Sequence, residues 1–503
     1  MYNVYKNHED RLPDVRIQKL ELINFKGVRY GVVEMNCAKE MGKTVKRVER
    51  DGLCITREPN TEKKEWSSDI LALYGQNGSG KSSLVDACKT LKAIIGGYRL
   101  HQTFAKFINK GAKLAEIYVE FLFVYKDGTQ ALVTYEAALR AEEITEQTQD
   151  IEQSGDMEKK QLCMHVSDEV VRTNLYEDGR LGRLHAIVDT KENVLCGKAL
   201  EEYFFDKDDS DVRNELIYLK RKTYDDSQSF VFSQSLTKEL DKNNTEEHCS
   251  KYYEILSELQ YYAMHYLYVV DSHTSMVALY GAGIPLYIQG LDKPVLLGKR
   301  KPLAMNLYEY VEQQFEKIDG MMHALIPDLH LELETTETVL ENGQKGVFVN
   351  IISVRGDNRI PLLHESDGII KLTSIVAVYL FAYQEKAATL VVDELDAGVF
   401  EYLLGQMLEI FESNGKGQLI FTSHNLRALE VLDKKFIRFT TANPLNRYYR
   451  FKSVGRTNNL RDLYLREIMT PKQDEPLYSG NEIDTIKEAM EQLKERAPGR
   501  LVV

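Results

Sequence analysis

Residues 75–83 have the sequence GQNGSGKSS and fill every fixed position of the pattern G-x4-G-K-[ST]. Glycines allow a turn so tight that several backbone N–H groups point at one phosphate. The lysine of this pattern reaches the β- and γ-phosphates of a nucleotide, and the next hydroxyl binds Mg²⁺. We therefore predict a site for ATP and Mg²⁺ with Lys81 on the phosphates and Ser82 on the metal. Further phosphate contacts are predicted from Gly75, Asn77, Gly78, Gly80 and Ser83.

Residues 390–396, LVVDELD, form an apolar run that ends in two adjacent acids. At the tip of a buried strand, Asp393 would orient the water shell of Mg²⁺. Glu394 would face the γ-phosphate and polarise the attacking water. Alone, a strand ending in DE could as well be a solvated terminus. Next to a phosphate-binding loop, the catalytic interpretation is favoured.

Two more segments could contact a phosphate. The apolar run QLIFTSHN, residues 418–425, places His424 at the end of a strand, where a histidine is more often structural than catalytic. The segment ESDGIIK, residues 365–371, is typical of a helix start capped by Ser366. A helix N-terminus carries partial positive charge and free N–H groups, which attract an anion. No phosphate-binding loop stands beside that segment in the sequence.

Together these four segments resemble the SMC/RecF/OLD-like group of ABC-type ATPases. The resemblance covers roughly residues 15–135 and 330–440. It implies an α/β fold, an ABC-type P-loop ATPase head with an inserted, mainly helical subdomain. It also implies ATP hydrolysis that depends on Mg²⁺.

The resemblance assigns roles to residues outside the phosphate loop. In this group a short S-x-G segment replaces the LSGGQ signature, and Ser366 and Gly368 match it, with Lys371 one turn on. The segment would bind the γ-phosphate held by a second copy of the chain. His424 would be the switch histidine on that phosphate, and Asp396 would lie in the D-loop at the same dimer interface.

Two residues of the family pattern have no unique assignment in this sequence. Lys26 in NFK matches a basic residue placed near the nucleotide phosphates, although a plain strand residue is an equal alternative. The glutamine of the family's Q-loop could be Gln102 or Gln234, and neither has a diagnostic context.

The elements that must position these residues follow from hydrophobic periodicity. We predict paired strands in residues 15–35, a hairpin or surface insertion in 39–64, a buried strand before the phosphate loop and a helix after it. A hairpin is predicted in 115–140, and the acidic stretch 141–161 is expected to be a solvated loop. Residues 200–325 are mostly helical in pattern, interrupted by one strand at 266–272.

These elements suggest four parts. We predict an N-terminal lobe of the ATPase head in residues 1–140, with the phosphate loop, and a mainly helical insertion that binds partners in 141–329. A C-terminal lobe in 330–445 would carry the signature, the DE strand, the D-loop and the switch histidine. Residues 446–503 would form a tail with a helix.

Composition indicates which compartment and which partners to expect. The chain has 503 residues, a formal net charge of −13 and six cysteines without a CxxC pair, so we expect reduced thiols in the cytoplasm. No apolar run is long enough for a membrane span, and no membrane is expected as a partner. The negative overall charge means that any nucleic-acid contact needs a local basic patch.

Three features of the sequence exclude subgroups of these ATPases. The helical middle is too short for the arms of SMC proteins, LSGGQ of transporters is absent, and the acid clusters of the OLD nuclease domain are not seen. The tail segment RTNNLRDLYLREI resembles stand-alone ATPases of bacterial two-component anti-phage systems such as Septu, PARIS and certain retrons. That resemblance implies a sensor or regulatory subunit that forms a dimer or higher oligomer and controls a separate nuclease or toxin.

The alternative is a RecF-like DNA-repair ATPase, which needs a basic face. Its candidates are KRVER at residues 46–50, LKRK at 219–222 and GKRK at 298–301. Each could equally be an ordinary solvated patch, and the net charge of −13 favours that interpretation.

Overall fold

A computed structural model describes most of the chain. The described residues are 12–35, 46–50, 53–57, 70–100, 102–146, 159–177, 180–191, 210–243, 251–272, 284–288, 291, 295–451, 459–469, 476–477, 487–488 and 490–492.

Helices and strands are both well represented in these ranges. The α-helices are α1 (Lys81–Ile95), α2 (Gln102–Ala105), α3 (Ser210–Asp225), α4 (Gln234–Asn243), α5 (Lys251–His265), α6 (Met305–Leu325), α7 (Asp367–Gln384), α8 (Glu401–Asn414), α9 (Ala428–Val431) and α10 (Leu460–Met469). The strands are β1 (Asp14–Phe25), β2 (Val28–Glu34), β3 (Lys46–Arg50), β4 (Leu53–Arg57), β5 (Ile70–Tyr74), β6 (Ala115–Val124), β7 (Gln130–Glu146), β8 (Lys159–Glu177), β9 (Arg180–Leu181), β10 (His185–Asp189), β11 (Leu267–Val270), β12 (Ile284–Leu286), β13 (Val295–Ala304), β14 (His330–Val339), β15 (Lys345–Arg355), β16 (Asn358–Pro361), β17 (Thr389–Val392), β18 (Gln418–Thr422), β19 (Ile437–Thr440) and β20 (Tyr448–Tyr449).

The central sheet has six strands in the order β11-β17-β18-β5-β19-β20. All neighbours in it are parallel except β19 and β20, which pair antiparallel. Strands β5, β17 and β18 are buried at every residue, as expected for parallel strands covered on both faces. Their carboxyl ends therefore open at one edge of the sheet, where the predicted catalytic segments begin.

An antiparallel sheet lies beside the central one, with strands in the order β10-β8-β7-β6-β1-β2 and β9 next to β8. Helix α1 contributes its buried face, including Leu84, Leu91 and Ile94, to the same core as β1 and β6. A parallel sheet with a phosphate loop beside an antiparallel lobe is the α/β ABC-type P-loop head that the sequence predicts.

The acidic stretch differs from its prediction. Residues 141–146 continue β7, and residues 159–161 begin β8, with Glu146 opposite Lys159 in the ladder. The expectation of a solvated loop in 141–161 is therefore wrong at both ends, and residues 147–158 lie outside the described part. Pairing of two long strands satisfies the backbone groups there, which overrides the acidic composition. The predicted hairpins in 39–64 and 115–140 are present as β3–β4 and β6–β7.

The segment predicted to be a mainly helical insertion is mixed. Its described residues hold α3, α4, α5 and α6, but also β8 to β13 and part of β7. Strand β11, the one predicted at 266–272, forms an edge of the central sheet, parallel to β17. Residues 141–329 thus contribute a strand to the central sheet. The division of the chain into four parts stays a prediction.

A third sheet, in the order β12-β13-β15-β14 with β16 next to β15, precedes α7. Helix α6 packs against this sheet through Val311, Phe315 and Ile318. The chain then turns through Leu362–His364 into α7, so this sheet fixes where that helix begins. In the described part of the chain, no helix is long and apolar enough to cross a membrane.

The two lobes are joined by buried polar contacts of β1. The Arg16 guanidinium donates to the carbonyls of Lys386 and Lys416. The Gln418 side chain donates to the carbonyl of Ile17 at 3.0 Å and accepts from its N–H at 3.1 Å. The side chain of Gln418 in the central sheet therefore bonds both backbone groups of Ile17 in the antiparallel sheet, as a neighbouring strand would.

Candidate functional site

The phosphate loop lies between β5 and α1, as the sequence predicts. Gly80, the residue before α1, has φ +98°, a left-handed conformation that glycine adopts without steric cost. Lys81 then opens the helix, and its ammonium curls back to donate to the carbonyls of Gly75 at 2.8 Å and Gln76 at 3.0 Å. The predicted phosphate-binding residues are thus gathered around one loop at the N-terminus of a 15-residue helix.

Lys81 lies close enough to the acids that follow β17 for their charges to act on it. Its side chain is largely buried, and burial lowers its pKa, while the charges of Asp393, Glu394 and Asp396 raise it. The tertiary fold therefore brings the phosphate loop and the DE segment together. Strand β18 lies between β5 and β17, so the end of β18 also enters the same site.

Asp393 and Glu394 follow β17 directly and are held by Thr422 at the end of β18. The Thr422 hydroxyl donates to Oδ1 of Asp393 at 2.6 Å and accepts from the N–H of Glu394 at 2.7 Å. Asp393 also donates its own N–H to the carbonyl of Val270 at 2.8 Å. Both acids therefore have a fixed backbone position at the carboxyl edge of the sheet.

Oxygen donors make this edge suitable for Mg²⁺. Mg²⁺ prefers oxygen ligands and keeps several waters, so it needs only one or two protein ligands beside the nucleotide phosphates. Asp393, whose charge acts on Lys81, and Ser82, the residue after Lys81, each offer an oxygen of this kind. No group of three or more histidine, cysteine, aspartate or glutamate side chains placed for a metal occurs within the described ranges.

His424 follows β18 by two residues and is exposed at this site. Partial burial of the ring lowers the pKa of His424, and the Lys81 charge lowers it further, while the charges of Asp396, Glu394 and Asp393 raise it. Asp396 accepts the N–H groups of His424 at 3.0 Å and Asn425 at 2.9 Å. Asp396, the residue predicted to lie in a D-loop, thus holds the segment of the predicted switch histidine within its own chain.

The predicted signature lies at the start of α7. Ser366 occupies the N-cap position and is exposed, but its side chain makes no capping hydrogen bond, unlike the expectation from the sequence. Its carbonyl instead accepts the N–H groups of Ile369 and Ile370. The preceding Glu365 is anchored by Ser353 and Arg355, each at 2.5 Å.

Gly368 packs directly on the D-loop of the same chain. A Cβ atom at this position would lie 1.8 Å from the carbonyl oxygen of Gly398, so no other residue fits without movement. Further along α7, Lys371 donates its ammonium to the carbonyl of Glu394 and lies 3.4 Å from that of Asp393. The signature helix is therefore joined to both the D-loop and the DE segment.

The Lys26 side chain is engaged by other groups of the protein. Its ammonium pairs with Asp86 of α1 and lies 5.2 Å from the centroid of the Phe107 ring. A contact with the nucleotide would compete with that ion pair, and the role remains a prediction. Gln102 and Gln234 each begin a short helix and are exposed, which leaves the Q-loop position unassigned.

Hydrogen bonds from distant residues support the glycine-rich loop, and no sequence pattern predicts them. The Tyr448 hydroxyl donates to the carbonyl of Gly80 at 3.0 Å, and the hydroxyls of Ser79 and Thr440 share a hydrogen bond. Arg447 packs its methylene groups beside Gly80 and donates to the carbonyls of Thr441 and Gly27, both at 2.7 Å. Thr440, Arg447 and Tyr448 belong to no motif that the sequence offers, and they follow the loop by more than three hundred positions.

Comparisons with known proteins give distant structural likenesses. No protein-family model matches the chain, and no curated protein matches it. An SMC head bound to the C-winged helix domain of ScpA has a TM-score of 0.39 and 13% identity, covering 87% of this chain and 98% of its own. An SMC head from Thermotoga maritima has a TM-score of 0.33 and 12% identity, covering 87% and 100%. The recombination mediator protein RecF of the RecFOR pathway has a TM-score of 0.31 and 11% identity, covering 82% and 93%. Scores this low carry no argument, so the function below is argued from the site.

Proposed function

We propose that the protein is an Mg²⁺-dependent ATPase whose two copies close around ATP. The observation that carries this proposal is the convergence of Lys81, Asp393, Glu394 and His424 at one edge of the central sheet. These residues come from three strand ends, and their charges act on one another. A loop that binds phosphates, beside an acid able to orient water, is the arrangement that phosphoryl transfer requires.

Each side chain has a distinct task in that reaction. Lys81 leaves its two carbonyl partners for the β- and γ-phosphates, and the N–H groups of the loop hold the same oxygens. Ser82 and Asp393 would hold Mg²⁺, which would supply positive charge against the charge that develops on the phosphates. Glu394 orients and polarises the attacking water, while His424 contacts the γ-phosphate.

The second copy would supply the remaining half of each site. Helix α7 has 18 residues, and its N-terminus presents Ser366 at the surface with its hydroxyl unused by the helix. The partial positive charge there favours a phosphate. In a symmetric dimer, Ser366 and Gly368 of one copy meet the γ-phosphate held by the other. ATP then bridges the copies until hydrolysis removes the bridge.

The biological role follows from the resemblance of the motifs and tail. The ATP-dependent dimer would be the sensor or regulatory subunit of an anti-phage complex, with a separate nuclease or toxin as its effector. The alternative is a RecF-like DNA-repair ATPase. Of its basic candidates, Lys220 lies 3.6 Å from the Asp168 carboxylate and donates to the carbonyl of Thr190, so part of that patch serves the fold.

A mixed-subunit experiment tests the shared site. Lys81→Ala should prevent nucleotide-driven closure, and Ser366→Arg should block the partner's γ-phosphate, so each variant alone should lack ATPase activity. Mixing them gives dimers in which one site combines both defects and the other is intact. We expect about a quarter of wild-type activity at equal mixing, since half of the dimers are mixed and each has one good site. No recovery on mixing would mean that the segment acts within its own chain.

Glu394→Gln tests the catalytic role and provides a trap for partners. We expect turnover to fall by about 10² or more, with the nucleotide-bound dimer persisting in size-exclusion chromatography with light scattering. An undiminished rate would contradict the role of Glu394.

Mass spectrometry of proteins that co-purify with this tagged variant from its native host distinguishes the biological roles. A stoichiometric nuclease or toxin supports the defence subunit, whereas DNA with repair proteins supports the RecF-like alternative.

A further inference from the structure

The backbone of Glu394 adopts a conformation that its residue type disfavours. Its φ is +51°, in the left-handed region that side chains other than glycine rarely occupy. Such a residue persists only where its surroundings hold it, and such residues are frequent at active sites. The contacts of this one peptide segment therefore matter for the direction of the carboxylate.

Both polar backbone groups of Glu394 are held by side chains from other elements. On one side, its N–H donates to Oγ1 of Thr422 at 2.7 Å. The single hydroxyl proton of Thr422 goes to Oδ1 of Asp393 at 2.6 Å, so the hydroxyl oxygen remains to accept. On the other side, the carbonyl of Glu394 accepts from the ammonium of Lys371 and from the N–H of Ala397, the latter at 2.9 Å. Among the described residues, Lys371 is thus the one side chain that donates to that carbonyl.

Lys371 is an unusual residue for a merely structural contact. Only 6% of it is exposed, and burial of an ammonium is costly unless nearby groups compensate. The acids Asp396, Glu394 and Asp393 supply favourable charge, which works against the lowering of its pKa by burial. Yet the hydrogen bonds of its ammonium go to backbone carbonyls at the end of β17. The buried ammonium of Lys371 therefore binds the peptide carbonyls of Asp393 and Glu394.

We propose that Lys371 and Thr422 are positioning residues that hold the Glu394 peptide from both sides and so aim its carboxylate at the attacking water. The inference rests on the proposed ATPase function and deepens it. Lys371 belongs to α7, whose N-terminus carries Ser366 and packs on the D-loop through Gly368. Contact of that N-terminus with the partner's ATP is therefore transmitted to Glu394 of its own subunit, which serves the other site.

Replacement of Lys371 tests this inference in the full-length protein. Lys371→Met keeps the length of the side chain without the donor. We expect kcat for ATP to fall at least about tenfold, while KM and the directly measured Kd for ATP change less than about threefold. Lys371→Arg, which restores a donor, should recover a large part of kcat. A rise in KM or Kd with kcat unchanged would instead make Lys371 a nucleotide contact and overturn the proposal.

Two further measurements separate positioning from a general disturbance of α7. Ser374→Ala is the matched control, because Ser374 is buried on the same helix and its hydroxyl donates to the carbonyl of Ile370 within that helix. It should leave kcat within about twofold, even where thermal unfolding shows a small loss of stability. In the Glu394→Gln background, Lys371→Met should cause no further loss of kcat, since both changes remove the same effect. Additive losses would overturn the proposal.

The outcomes distinguish this inference from the proposed function. If wild-type protein hydrolyses ATP, Glu394→Gln does not, and Lys371→Met equals wild type, the ATPase stands and the positioning role fails. If wild-type protein neither binds nor hydrolyses ATP, the proposed function fails, and the inference falls with it.

Discussion

At the scale of single residues, the site depends on how closely two backbones approach. Gly368 of the signature and Gly398 of the D-loop are in direct contact, with the path of each leaving no space for a side chain on the other. Gly398 also has φ +74°, which favours glycine independently. The glycine at position 368 therefore has a structural reason within the chain, independent of any contact with a nucleotide.

Gly368→Ala tests this close approach. Its Cβ would lie 1.8 Å from the carbonyl oxygen of Gly398, so α7 and the D-loop must separate. We expect unfolding free energy to fall by about 1–3 kcal/mol and ATP-dependent dimerisation to weaken, measured by chemical denaturation and light scattering. Gly320→Ala is the control, because nothing lies within 4 Å of a Cβ there and the position is inside α6. It should be neutral or stabilising by up to about 1 kcal/mol.

At the scale of elements, helix α5 places an acid against the antiparallel lobe. Glu258 accepts a hydrogen bond from the Tyr125 hydroxyl at 2.9 Å. Burial, together with the nearby charge of Glu254, raises the pKa of Glu258 to about 8, although the hydrogen bond from Tyr125 acts to lower it. The folded protein therefore retains a proton here that the unfolded chain, with an ordinary carboxyl, has already lost.

This difference predicts a pH-dependent stability. Between the ordinary pKa of 4.5 and about 8, the folded state binds more protons, so stability falls as pH rises and then levels off above pH about 8. Glu258→Gln removes that loss. We expect its melting temperature to equal wild type near pH ~5 and to exceed it by several degrees at pH ~8.5.

Glu254→Gln is the control on the same helix, since Glu254 is exposed. It should change stability by less than about 0.5 kcal/mol at both pH values. A constant difference between Glu258→Gln and wild type across that pH range would contradict the prediction.

At the scale of the whole molecule, the two lobes depend on a buried polar junction. Gln418 is fully buried and bonds both backbone groups of Ile17, while Arg16 bonds two carbonyls near the ends of the central sheet strands. These contacts fix β1 and the antiparallel sheet relative to the phosphate loop. The junction consists of hydrogen bonds with defined directions, so it also defines the orientation of the lobes.

Gln418→Leu should weaken that junction, because it leaves the N–H and carbonyl of Ile17 buried without their partner. We expect a loss of about 2–4 kcal/mol in unfolding free energy, measured by urea denaturation. Gln313→Leu, at an exposed position of α6, should change stability by less than about 0.5 kcal/mol. Equal stability of Gln418→Leu and wild type would mean that water or movement of β1 replaces the lost bonds.

Features encoded in contiguous residues could be predicted from the sequence. The glycine-rich loop and the DE strand end each depend on backbone geometry over a few residues, which local residue types determine. The start of α7 at Asp367 was also indicated locally, although Ser366 caps the helix without its side chain. The predicted strand before the loop and helix after it are present as β5 and α1. By contrast, the acidic ends of β7 and β8 were predicted as loop, because long-range pairing outweighed their composition.

The sequence by itself determined which groups this protein has available: a glycine-rich loop with a lysine, two adjacent acids, a histidine after a strand and the start of a helix. Only the tertiary structure decided how they cooperate. It placed β18 between β5 and β17, Lys371 on the Glu394 peptide, and Tyr448 beneath Gly80. The reason is physical: strand order and buried contacts between distant segments are set by the packing of the whole core, whereas a loop that binds phosphate is set by its own few residues.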